Sequence, residues 1–147
     1  MKQLLKSLPT GFLSVIAIIV VVYLSLTPDP LGQVDFFPFA GADKVAHFLL
    51  YFFATVLFLT DYAKYKSPHH TKLNQELMFT CSAMLLGLLM EIGQLALSNG
   101  REYDSADIIA NCLGAAIAFC YMHWRGISSV RHLLQEKHRH HRHHHKA

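Results

Sequence analysis

Residues 41–60 read GADKVAHFLLYFFATVLFLT. After Gly41 the chain turns strongly apolar, yet Asp43, Lys44 and His47 stand at the threshold of the run. Charged groups are costly inside a membrane and usually face a bundle interior or a wet cavity. Whether this stretch is a membrane helix, and what its polar residues do there, decides the fold.

Three further runs resemble it. Residues 11–27 (GFLSVIAIIVVVYLSLT) carry no charge, residues 77–97 (LMFTCSAMLLGLLMEIGQLAL) carry only Glu91, and residues 106–124 (ADIIANCLGAAIAFCYMHW) carry Asp107 and His123. Each run is about 16–21 residues long, close to the ~20 that a helix needs to cross the hydrocarbon core. Lipid admits helices or closed barrels, and the alternation of barrel strands is absent. The expectation is an all-α integral membrane bundle of four transmembrane helices. Residues 11–27 offer no polar face for a soluble surface, which argues against a water-soluble bundle. They also read as a retained helix rather than a signal peptide, because the small-residue stretch Ala40-Gly41-Ala42 lies well beyond the apolar run.

Lys and Arg segregate along the chain. Lys2 and Lys6 precede the first run, Lys64, Lys66 and Lys72 separate the second from the third, and Arg125, Arg131, Lys137, Arg139, Arg142 and Lys146 follow the fourth. The positive-inside rule then places both termini and the 61–76 loop in the cytoplasm. Loops 28–42 and 98–105 face outward, in a multi-pass protein of a bacterial inner (cytoplasmic) membrane. Nothing in the sequence points to nucleic acid, and it does not reveal an oligomeric state.

With that topology, His47, Glu91, Gln94, Asp107 and Asn111 fall within about 10 Å of one level at ~1.5 Å rise per residue. Their spacing also puts them on single helix faces. Asp43, His47 and Tyr51 are four apart; Glu91, Gln94 and Ser98, and then Asp104, Asp107, Asn111 and Gly114, follow at three and four. Three polar faces should converge on one outward pocket. The plain alternative is a structural lock between helices, since polar side chains bond across membrane helices for a modest gain. The number of acids, bases and amides exceeds what a lock requires.

The segments DKVAH (Asp43, Lys44, His47), EIGQ (Glu91, Gln94) and REYDSADIIANCLG (Arg101, Asp104, Asp107, Asn111, Gly114) resemble the signature segments of the VanZ-like membrane protein family, in the same order. The resemblance covers about residues 10–124. It departs from the family pattern at Ala118, where another Gly is frequent, and at Ser98-Asn99-Gly100, where a Pro is common. It implies a small polytopic membrane protein with a cell-envelope role. The family's namesake is associated with resistance to the glycopeptide teicoplanin, and no reaction is implied.

Four kinds of chemistry suit the cluster. In an enzyme, Glu91, His47 and Asp107 would be the catalytic acid–base set. Asp43, Lys44, Gln94, Arg101, Asp104 and Asn111 would bind substrate, with Lys44 and Arg101 holding a phosphate or carboxylate. The substrate would be amphipathic, a lipid-linked cell-wall or glycan precursor. In a metal site, His47, Glu91, Asp104 and Asp107 would be ligands of a divalent ion such as zinc or manganese. A binding protein would use the pocket for membrane lipid head groups or an envelope partner. Ion conduction is the weakest reading, because no polar stripe is evident running on from Tyr51 or Gly114 to the cytoplasmic end.

The remaining features are local. No metal or other cofactor is required by any motif, and Cys81, Cys112 and Cys120 lack metal spacing and read as small buried hydrophobes. Residues 1–124 form the membrane domain. Residues 125–136 read as an interfacial amphipathic helix, with Ile127, Val130, Leu133 and Leu134 on one side. Residues 137–147 (KHRHHRHHHKA) read as a disordered cytoplasmic tail that suits topology-setting charge, or a divalent metal.

Overall fold

A computed structural model describes residue 5 and residues 7–27, 41–97 and 104–135. Its elements are α1 (Phe12–Leu26), α2 (Ala42–Lys66), α3 (Leu73–Leu97), α4 (Ser105–Tyr121), a π-helical turn (Met122–Gly126) and α5 (Ile127–Gln135). All described regular structure is helical. Three helices are long and apolar enough to cross a membrane: Ala42–Lys66, Leu73–Leu97 and the continuous Ser105–Leu134.

The fourth expected span is shorter. α1 has 15 residues, which at ~1.5 Å each falls short of a ~30 Å core. Its limits follow from the sequence. Gly11 adopts a left-handed conformation at the start, and Thr27, which precedes Pro28, is extended, as a residue before proline prefers. Both ends of α1 are held by other helices. The Asp61 carboxylate of α2 accepts from the Ser14 amide at 2.8 Å and the Ser14 hydroxyl at 2.9 Å. The Gln94 amide of α3 donates to the Ser25 carbonyl at 2.8 Å. These bonds serve amide and carbonyl groups that a helix end leaves without intrahelical partners.

α2 is the centre of the bundle. It packs against α1, α3, α4 and α5, and most extensively against α4. Tyr51, Ala54, Phe58, Ala17, Val21, Ala83 and Ala115 form the main apolar core. Leu59, Ala63, Met122 and Ile127 form a second one toward the C-terminal end of α2. The segment read as a separate helix from residue 125 is continuous with α4 through the π-helical turn. Ile127 is buried there, with Val130 packed beside it.

The polarity of the bundle is inverted. His47, Asp61, Glu76, Glu91, Gln94, Asp107 and Asn111 are buried, whereas Ile19, Leu85, Leu89, Ile92, Leu95, Ile109 and Leu113 are exposed. Water would penalise that surface; a hydrocarbon surround makes it favourable. The cysteines follow the same inversion: Cys81 and Cys120 are exposed and Cys112 half-buried. The expectation that they are buried is corrected, because in this bundle the apolar side chains point outward.

α2 and α4 come together at a glycine. A Cβ on Gly114 would collide with the backbone carbonyl of Phe48. Ala110, Asn111, Ala115 and Ala118 complete a small-residue face on α4, the kind that lets membrane helices approach closely. Gly114→Ala should therefore force α2 and α4 apart. We expect a loss of about 1–3 kcal/mol, the usual cost of overpacking, measured as a lowered unfolding midpoint in detergent. An unchanged midpoint would show that the helices do not depend on this approach.

Candidate functional site

The site lies where the start of α2, the end of α3 and the start of α4 meet. Asp104 caps α4, its side chain accepting from the Ala106 amide at 2.8 Å. This is a preferred N-cap arrangement, and Asp107 follows in the first turn, where the helix dipole favours an acid. On α2, Asp43 occupies the first turn and His47 follows on the same side. On α3, Glu76, Thr80, Ala83, Gly87, Glu91 and Gln94 form one buried face. Gly87 leaves room for Asn111 and Tyr51, which a Cβ there would meet at 3.2 Å.

Two layers make up the cluster. In the outer layer, Lys44 Nζ lies 2.6 Å from Asp43 Oδ2, 2.5 Å from Asp104 Oδ2 and 3.1 Å from Asp107 Oδ1. One ammonium is thus shared by three carboxylates. In the inner layer, His47 Nδ1 is 3.1 Å from Asn111 Oδ1. Glu91 Oε1 lies 3.7 Å from Nδ1, and Asp107 Oδ2 lies 3.6 Å from Nε2. Glu91 is fully buried and His47, Asp107 and Asn111 nearly so. Tyr51, also fully buried, interacts with Ser25 and Glu91.

Most of the residues read from the sequence are brought together here: Asp43, Lys44, His47, Glu91, Asp104, Asp107 and Asn111. Gln94 sits on the same face of α3, but its amide nitrogen is engaged by α1. Arg101 and the His-rich tail lie outside the described residues. Lys44, expected to hold a substrate anion, is surrounded by carboxylates instead. Four carboxylates, on Asp43, Glu91, Asp104 and Asp107, face one lysine and one histidine. Among the described residues the carboxylates outnumber the basic groups, an arrangement that favours a cation over a bare anion.

A second polar cluster at the opposite end escaped the sequence reading. Glu76, 2% exposed, pairs through Oε2 with His123 Nδ1 at 2.6 Å. Tyr62 donates to Gln75 and accepts from the Lys72 amide. Thr55, Asp61 and Thr80 are buried as well. The expectation that no polar groups continue toward that end is therefore corrected. Asp61 and Glu76 fall in the expected 61–76 loop because they lie outside the apolar runs, whereas α2 and α3 extend past those runs. The regular three-and-four spacing from Glu76 to Gln94 was the available signal.

Lys44 and the Ala106 amide hold the Asp104 carboxyl below the usual carboxylate range. A lowered value in the folded state means that the stabilisation is present above the ordinary carboxylate pKa. It is lost as pH falls through the folded value. At neutral pH, Asp104→Ala should unfold at a lower temperature than wild type. That gap should close below about pH 4, where carboxylates begin to protonate. Thermal melts of both proteins across pH check it, and a gap independent of pH would contradict it.

The chain matches a family model described as VanZ/LLP1 over residues 12–126, which spans all four apolar helices and the π-helical turn. No curated protein and no solved structure matches it. With a family match over most of its length and the DKVAH, EIGQ and DSADIIANCLG segments meeting in one cluster, this chain belongs to the VanZ/LLP1 family.

Proposed function

We propose that this protein is a multi-pass cell-envelope protein of a bacterial inner membrane. Its His47–Glu91–Asp107 cluster, facing outward, recognises or acts on a lipid-linked envelope precursor. The observation that carries the reading is the bracketing of one imidazole by two buried carboxylates, with an amide fixing its orientation. Asn111 Oδ1 accepts from Nδ1–H, which leaves the lone pair on Nε2. That nitrogen can take a proton from a substrate hydroxyl or a water. Asp107 then stabilises the imidazolium from one side and Glu91 from the other. Lys44 keeps Asp107 aimed, since it holds Oδ1 while Oδ2 faces the ring. Removing a single member of this set would leave a buried charge uncompensated.

The location supports an amphipathic substrate. The cluster sits at one end of a bundle whose flanks are apolar, so a lipid tail can lie along the outside while its head group reaches the polar end. A resistance role against glycopeptides such as teicoplanin fits an outward site of this kind. A lipid- or partner-binding role without chemistry would use the same residues.

Two measurements address this reading. Native mass spectrometry of the protein extracted with its own lipids should find a lipid-linked glycan or peptide precursor retained differently by wild type and Glu91→Gln. Identical complements of bulk phospholipid in both would remove the precursor from the proposal. For orientation, a cysteine at Asp35→Cys, with the native cysteines replaced, should react with an impermeant thiol reagent on intact cells. Reaction confined to lysed cells would invert the topology.

A further inference from the structure

We infer that His47, Glu91 and Asp107 form a first-row divalent-cation site, with Asn111 and Lys44 orienting the ligands. The inference rests on the reading of this same cluster as the functional site and names its cofactor; with an ion bound, His47 Nε2 would serve as a ligand in place of the base. Ligand atoms of the three residues all lie within 4.8 Å of one another, and all three residues are buried. They come from three helices and combine an imidazole with two carboxylates, a donor set suited to zinc or manganese.

Ring geometry supplies the second, independent observation. Asn111 Oδ1 accepts a hydrogen bond from His47 Nδ1–H, as the outer partners of metal-bound histidines do. Nε2 is then a lone-pair donor, and it faces another lone-pair donor, Asp107 Oδ2, at 3.6 Å. That separation is too long for a hydrogen bond. It is close to the ~3.4 Å between two ligands that each sit ~2.1 Å from one tetrahedral ion. Asp107 is prepared for the role, because its other oxygen is held by Lys44 at 3.1 Å.

A neighbouring acid trio sharpens the assignment. Asp43, Asp104 and Asp107 also lie within 4.8 Å of one another, but they already enclose the Lys44 ammonium. The inner set shares that ammonium through Asp107 Oδ1, with Oδ2 turned toward the ring. A divalent ion would balance its two carboxylates. It would also turn a site that repels a phosphate into one that can receive it, since the ion can bridge a carboxylate cluster and an anionic head group.

Manganese is the probe of choice, because the His-rich C-terminal tract prefers softer, later metals. Electron paramagnetic resonance titration of the full-length protein in detergent with Mn²⁺ should show one saturable site per chain. His47→Ala and Asp107→Asn should abolish that site, and Asn111→Ala should weaken it roughly 10- to 100-fold. Asp61→Asn, a buried carboxylate at the other end of the bundle, should keep it. Melting each variant without metal shows which are folded, and Mn²⁺ should raise the melting temperature of wild type and Asp61→Asn but not of His47→Ala or Asp107→Asn. The proposal is overturned if wild type binds no Mn²⁺, if His47→Ala and Asp107→Asn bind as wild type does, or if Asp61→Asn loses binding equally. Native mass spectrometry with and without chelator separates the two readings. A precursor retained equally after chelation leaves the envelope reading standing without the metal, and Mn²⁺ binding with no precursor does the reverse.

Discussion

The approach of α2 and α4 at Gly114 and Phe48 governs what the rest of the bundle can do. In lipid there is little hydrophobic drive to bring helices together, so packing and interhelical hydrogen bonds carry the association. The small face of α4 lets the two backbones nearly touch. One turn toward the start of α4, that closeness brings Asn111 to 3.1 Å from His47. One turn further, it brings Asp107 beside both His47 and Lys44. A bulkier residue at 114 would therefore damage the polar cluster as well as the packing. The glycine belongs to the site without touching its chemistry.

The short first helix shows the same economy in another form. α1 is uncharged and too short to cross the hydrocarbon core unaided, yet it is tied at one end by Asp61 and at the other by Gln94. Each of these side chains reaches the backbone of the helix end nearest to it. Without water to satisfy those groups, a side chain from a neighbouring helix is the available partner. Gln94, which sequence reasoning placed in the pocket, thus has a structural task one helix away. Its residue type and its depth were correct guides to burial, and neither indicated the direction of its amide.

Much of the architecture was legible in the sequence, because the constraint that lipid imposes is severe. Uncharged runs of helical length announce themselves, and polar residues at three-and-four spacing declare which side faces inward. His47, Glu91, Asp107 and Asn111 met as expected for that reason. What stayed hidden depends on where helices end and on which partner a charge selects. Asp61 and Glu76 looked like loop residues because hydropathy falls before the helices stop. Lys44 looked like an anion receptor because spacing identifies neighbours on its own helix, whereas Asp104 and Asp107 approach it from α4. The expected division at residue 125 fell where the chain instead winds through a π-helical turn, a local change in hydrogen bonding that no composition reveals.

That partner choice changes the chemistry to be expected of the cluster. A lysine flanked by carboxylates on three sides is neutralised several times over, so among the described residues an incoming phosphate would meet more acidic than basic groups. Burial makes this worse, because the field of Asp107 and Glu91 is poorly screened away from water. A site arranged in this way suits cations and proton transfer, and an anionic head group could enter only beside a compensating positive charge. Lys44 then acts on its own carboxylates: it holds Asp104 and Asp107 in a fixed geometry, and it leaves the second oxygen of Asp107 to the histidine.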